Sequence, residues 1–147
     1  MTTRLHDLRH SERGDMNIEV AIGATALVVL FGLAIAAMRV ETAESAVDEA
    51  ARAAARTASL AHDGDAAVAG AEQRARAVLA EQRLACAVLD VAVDASDFAK
   101  PLGETGYVTA TVTCDIPLGS LLIPGIGGTK TARSEFRSPI DKYGARR

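Results

Sequence analysis

The chain has 147 residues, a formal net charge of −3, and 49% hydrophobic residues, of which only a few are aromatic. This length is about that of one domain, and the negative charge argues against a nucleic-acid-binding protein, which is usually basic. About thirty alanines bury little apolar surface per residue, so the composition argues against a large enzyme-like core and favours close-packed helices or a partner.

An uncharged stretch of 19 residues begins at Val20 and ends at Met38. A helix of that length is about 28 Å long, close to the hydrocarbon thickness of a bilayer, so we predict a transmembrane helix. A buried soluble helix would normally carry a polar stripe, and a cleaved secretory signal would have a shorter apolar stretch before a small-residue cleavage site. Three arginines precede the stretch and three follow it closely, so charge counting leaves its orientation open.

The pattern after Met38 predicts that the helix continues from Arg39 to about Ala61, with one exposed ion pair between Asp48 and Arg52. Small or apolar residues recur along one face at a three-four spacing, an alanine seam that we expect to face neighbouring subunits: Val40, Ala43, Val47, Ala50, Ala54 and Ala61. Gly64 is expected to end this helix, and Asp65 to cap a second helix over residues 66–83.

Three stretches with a period of two predict strands at residues 89–94, 108–116 and 129–138. The predicted fold class is therefore α+β, with a long N-terminal helix and a second helix packed on a small three-stranded antiparallel sheet. We divide the chain into a leader (1–14), a processing motif with the transmembrane helix (15–38), an extracytoplasmic head (39–138) and a frayed tail (139–147).

The residues just before the apolar stretch form a recognisable motif. The sequence RGDMNIEV places Gly14 five residues before Glu19, at the start of a hydrophobic helix and after a basic leader. This is the processing pattern of type IV prepilins, in which a membrane peptidase cuts after the glycine, here between Gly14 and Asp15. A carboxylate such as Glu19 is costly in lipid, about 2.5 kcal/mol or more, and a neighbouring subunit's amino terminus would offset that cost. Alternatively, Glu19 simply lies among the lipid headgroups.

The whole chain resembles the TadE-like minor pilins of the tight-adherence (Flp, type IVc) pilus system, in the form found in high-GC Gram-positive bacteria. The resemblance covers the leader, RGDMNIEV, the segment AVDEAARAAARTASLA, and the strand VTATVTCDIPL with its upstream cysteine, Cys86. Asp15 stands where major pilins usually carry Phe, which leaves N-methylation open, and Val20 stands where Flp major pilins often carry Tyr. An accessory or minor pilin is therefore favoured over the main shaft subunit.

The resemblance implies a single-pass membrane protein with a cytoplasmic N-terminus and an extracellular head, incorporated into a surface pilus or its assembly machinery. The implied partners are membrane lipid, a prepilin peptidase, other pilins and pilus assembly components. Cys86 and Cys114 would lie in an oxidising compartment, where a disulfide is expected; two buried free thiols are the alternative. The alternative function is an uncleaved, membrane-anchored binding or export-accessory protein.

The remaining motifs predict no enzyme, cofactor or metal site. The three histidines are scattered, so no nucleophile–base pair or metal-ligand set can be assembled, and no catalytic residue is predicted. Four aspartates, Asp90, Asp94, Asp97 and Asp115, are expected to form a solvated strand edge, with a calcium site as the less favoured alternative. An apolar loop is either a flap over the fold or an interface with another pilin or the membrane; its residues are Leu121, Leu122, Ile123 and Ile126.

Overall fold

A computed structural model of the protein describes residues 12–121 and 127–141. It confirms the predicted α+β class: a long N-terminal apolar helix, a second helix and a three-stranded antiparallel sheet. Helix α1 spans Glu12–Ser59 and α2 spans Gly64–Glu81; strands β1, β2 and β3 span Val88–Asp94, Gly106–Pro117 and Thr129–Ile140. The chain divides into two units, Met1–Met38 and Arg39–Arg147, and we call the second unit the head.

The start of α2 differs from the prediction. Gly64 does not separate the helices as a breaker but is the first residue of α2, and the N-cap is Asp63 rather than Asp65. The Asp63 carboxylate accepts a hydrogen bond of 2.7 Å from the backbone N–H of Ala66, which satisfies one of the unpaired donors of the first turn. The helix also ends two residues before the predicted boundary, at Glu81.

The sheet has the order β1-β2-β3, with both pairs antiparallel. β2 is central, and its alternate residues from Gly106 to Ile116 are buried, because the helices of the head cover that face. β3 runs through Pro139 to Ile140, two residues beyond the predicted strand, and the Ile140 side chain is only 4% exposed. The predicted frayed tail therefore begins no earlier than Asp141, and residues 142–147 lie outside the described part of the chain.

The alanines of α1 form the core of the head, contrary to the expectation that they face other subunits. Eight residues of α1 are at most 5% exposed: Ala43, Ala46, Val47, Ala50, Ala51, Ala54, Ala55 and Ala58. They pack in one cluster with the buried face of β2 and with α2, whose buried residues also include three alanines. Small side chains let these backbones approach closely, so the seam serves the chain's own packing.

Polar contacts tie α1 to β3 along the rim of this core. The Ser134 hydroxyl donates to Asp48 at 2.8 Å, and the Ser138 hydroxyl donates to Ser59 at 3.1 Å. Asp48 also forms the predicted ion pair with Arg52, at 2.6 Å. Because the partners on both elements advance in the same chain direction, this part of α1 runs parallel to β3.

Candidate functional site

The apolar part of α1 is exposed along its length. Within Ile18–Ser59 lies an 18-residue window with a mean hydropathy of 2.5, none of it buried, so this helix is long and apolar enough to cross a membrane. Eleven large hydrophobic side chains between Ile18 and Met38 are each more than half exposed. The apolar surface that these side chains expose is far larger than the exposed apolar patch of a typical soluble monomer. The hydrocarbon core of a bilayer would cover it.

The processing motif lies at the start of the same helix. Gly14 and Asp15 fall within α1, and Glu19 follows five residues later, about 7.5 Å along the helix axis. Glu19 is exposed and makes no ion pair with any residue in the described part of the chain.

The two cysteines form the expected disulfide. Cys86 precedes β1 by two residues and is half-buried, whereas Cys114 lies on the buried face of β2 and is fully buried. Their Cα atoms are 5.3 Å apart, and the bridge connects residues 28 positions apart in sequence. It therefore fastens the entry of β1 to the centre of the sheet.

Two of the four aspartates that we expected at a solvated strand edge, Asp94 and Asp97, also accept hydrogen bonds from residues that follow β1 in the chain. The Asp97 carboxylate accepts a hydrogen bond from the Lys100 ammonium and another from the backbone N–H of Tyr107, each at 2.9 Å. The Lys100 bond, followed by the Tyr107 bond, lowers the pKa of Asp97 below its usual value. Hydrogen bonds from Ser96 lower the pKa of Asp94 in the same way.

The structure brings together no obvious chemical centre in the part it describes. Among the described side chains, residues 18–119 and 127–141, no three His, Cys, Asp or Glu residues are placed to hold a metal ion. The lining of an open groove on the outer side of α1 includes Arg52, Arg56, Arg74 and Phe136, together with Glu49. The Arg52 guanidinium lies 5.8 Å from the centre of the Phe136 ring.

The predicted interface loop falls largely outside the described residues. Leu121 ends a short 3-10 turn, Leu118–Leu121, and Leu122, Ile123 and Ile126 lie in the segment that is not described. The loop therefore stays a prediction.

Sequence reasoning did not single out the face of the sheet that points away from the helices. This open face carries a column of threonines on β2, flanked by aspartates on β1 and by arginines on β3. The charges were visible in the sequence, but their alignment depends on the strand register.

No protein-family model, curated protein or solved structure matches the chain. The motif at the start of α1 and the fold of the head are therefore the features that bear on function.

Proposed function

We propose that the chain is a membrane-inserted structural subunit, similar to TadE-like minor pilins of Flp (type IVc) pili, made as a precursor that is cut after Gly14. One observation carries this proposal: the exposed apolar part of α1 begins at Ile18, four residues after Gly14, with Glu19 at its start. A membrane anchor alone needs neither residue. Their spacing is what a prepilin peptidase substrate requires.

The position of Glu19 supports a role in assembly. A carboxylate near a helix N-terminus is favoured by the helix dipole, but its charge remains costly when the helix lies in lipid. Cleavage would create a positively charged amino terminus at Asp15. When helices pack side by side, the amino terminus of one subunit offsets the Glu19 charge of the next.

The disulfide supports an extracytoplasmic head. Bridges of this kind persist in oxidising compartments, and both cysteines belong to the head. In the proposed topology the leader stays in the cytoplasm and the head lies outside the cell. The α+β fold, with its helix leading into a sheet, also agrees with a pilin-like subunit.

The alternative is an uncleaved single-pass protein whose head binds an extracellular ligand or assists an exporter. The groove lined by Arg52, Arg56 and Arg74 favours this alternative, because it places guanidinium groups beside the Phe136 ring. Arg52 and Arg74 pair with Asp48 and Glu81, and Glu49 also lines the groove, so Arg56 is the arginine with the most freedom to meet an acidic ligand. No such groove is required of a filament subunit.

The mature amino terminus separates the two functions. Mass spectrometry of the protein from its native membrane should show a chain that begins at Asp15, and Gly14→Val should leave the full-length precursor. Gly23→Val is the matched control, since Gly23 lies in the same helix with no other side chain within 4 Å of its position, and its processing should be normal. A native chain that still begins at Met1 or Thr2 would refute processing and favour the uncleaved anchor.

A second variant tests assembly apart from processing. Glu19→Gln keeps the size of the side chain and removes its charge, so cleavage and membrane insertion should persist while incorporation into filaments falls. Normal incorporation of this variant into filaments would show that assembly does not need the charge of Glu19.

A further inference from the structure

The open face of the sheet has charges of opposite sign on its two outer strands. β1 contributes the exposed residues Asp90, Ala92 and Asp94, and β3 contributes Arg133, Glu135 and Arg137. Half-exposed threonines of β2 lie between them: Thr109, Thr111 and Thr113. The helices of the head pack on the other face, so in the described part of the chain no helix covers this one.

The strand register places these charges at matching levels. Asp90 pairs with Thr113, which pairs with Arg133, so the three residues lie in one row across the sheet. A second row is formed in the same way by Asp94, Thr109 and Arg137. The row between them contains Ala92, Thr111 and Glu135.

The acidic and basic columns form no ion pair with each other in the described part of one copy. Two strand spacings, about 10 Å, separate their backbones. Among the described residues, neither Asp90 nor Arg133 takes part in an ion pair or a side-chain hydrogen bond. The Arg137 guanidinium lies 3.9 Å from the centre of the Tyr107 ring, and its charge contributes to the lowered pKa of Asp97.

We propose that this open face binds the open face of a second copy of the chain, about a two-fold axis parallel to the strands and passing over the threonine column. The rotation places β1 of each copy opposite β3 of the other, at the same level. Asp90 then faces Arg133 of the second copy, and Asp94 faces Arg137. Each contact occurs twice, as an isologous interface requires.

The remaining rows include one like-charge contact: Asp115, which pairs with Val88 and Thr131, lies on the axis and faces its own equivalent. The other positions fit this arrangement. Ala92 faces Glu135 of the second copy, where a small uncharged side chain leaves room for the carboxylate. Thr111 lies on the axis and faces its own equivalent. The other in-plane axis, perpendicular to the strands, would place aspartates against aspartates and arginines against arginines, so the charges select the first orientation.

The proposed axis also fixes the direction of α1 in the two heads. Because the head segment of α1 runs parallel to β3, a rotation about the strand direction leaves this segment pointing the same way in both copies.

The size of the interface predicts weak association. Seven paired levels across three strands give a footprint of about 23 by 14 Å on each copy, smaller than the roughly 800 Å² per partner of a stable soluble complex. Confinement in a membrane raises the effective concentration, which favours association through an interface of this size. Exposed ion pairs are screened by salt, so association should weaken as ionic strength rises.

Cysteine crosslinking of the full chain in vesicles tests the geometry. Thr111→Cys places a thiol on the axis, so a short bis-maleimide should link two copies at least tenfold faster than in Ser45→Cys. Ser45 is the control because it is exposed on α1, on the helix side of the head. Equal rates for the two variants would overturn the proposal.

Charge reversal tests the pairing. In the Thr111→Cys background, Asp90→Arg should slow crosslinking about tenfold or more, since it replaces two attractive contacts with repulsive ones. Adding Arg133→Asp should restore the rate, and Arg76→Glu, an exposed reversal on α2, should leave it unchanged. A double variant as slow as Asp90→Arg alone would refute the pairing. The readout does not depend on cleavage at Gly14, so the outcome can be obtained equally in the Gly14→Val precursor.

Discussion

Reduction of the Cys86–Cys114 disulfide should remove a large part of the stability of the head. The bridge connects residues 28 positions apart, and the chain-entropy model assigns a loop of that size about 3.5 kcal/mol. Domains of this size are stable by only about 5–15 kcal/mol in total. The loss should be felt strongly here, because the core is built mainly from alanines that each bury little surface.

Urea unfolding of the detergent-solubilised full chain, followed by circular dichroism with and without reductant, measures this contribution. The double variant Cys86→Ser/Cys114→Ala is the control, since its unfolding should not respond to reductant. Reduction of the wild type is the cleaner perturbation, because Cys114→Ala also removes a fully buried sulfur. A difference below about 1 kcal/mol between oxidised and reduced wild type would refute the loop-closure reasoning.

Three smaller perturbations test the packing of the head. Asp63→Ala should lower the free energy of unfolding by about 1 kcal/mol, because it removes the N-cap hydrogen bond of α2. Asp65→Ala should lower it by only a few tenths of a kcal/mol. Thermal melting that ranks the two variants the other way would contradict the assignment of Asp63 as the cap. Ala54→Leu should lower the free energy of unfolding in urea by about 1–3 kcal/mol, because Ala54 is fully buried. Ala53 is only half-buried, so Ala53→Leu should cost clearly less. Equal costs would contradict the burial of the alanine seam in the core of the head. Asp97→Asn should destabilise the head at pH 7. Because the folded-state pKa of Asp97 is lowered, its carboxylate stabilises the fold above the ordinary pKa of 3.8 and loses that effect as the pH falls further, so the gap to wild type in urea unfolding should close on acidification.

Local patterns were sufficient to predict most of the elements. Strict alternation placed β1 and β2 to within two residues, since a half-buried strand shows its period directly in the sequence. The N-cap of α2 was harder, because Asp63 and Asp65 flank Gly64 and both are good capping residues. Only the backbone geometry decides which carboxylate reaches the free N–H groups.

The alanine seam shows that hydrophobic periodicity can predict a buried face but not what covers that face. The spacing of Ala43, Val47, Ala50 and Ala54 correctly indicates one buried face of α1, but it carries no information about what covers that face. We expected other subunits because small residues permit close helix approach. In the structure the same property brings α1 close to its own sheet and to α2.

The two candidate sites differ in the same way, because one depends on local spacing and the other on the register of the strands. Gly14, Glu19 and the apolar stretch lie within 25 residues of each other, so their spacing alone predicts a processed membrane anchor. The match between Asp90 and Arg133 depends on two strand registers, which no local pattern reports.

The disulfide connects the stability of the head to the proposed dimer. Four of the five largest fully buried side chains belong to β2, so β2 sets the position of both outer strands. β1 is a short edge strand with only half-buried apolar residues, and a slip of one residue would turn Asp90 and Asp94 toward the helices. The bridge from Cys86 to Cys114 enters β2 at the residue that pairs with Leu89, next to Asp90. The disulfide therefore holds β1 in the register that the proposed contact between Asp90 and Arg133 of the second copy requires.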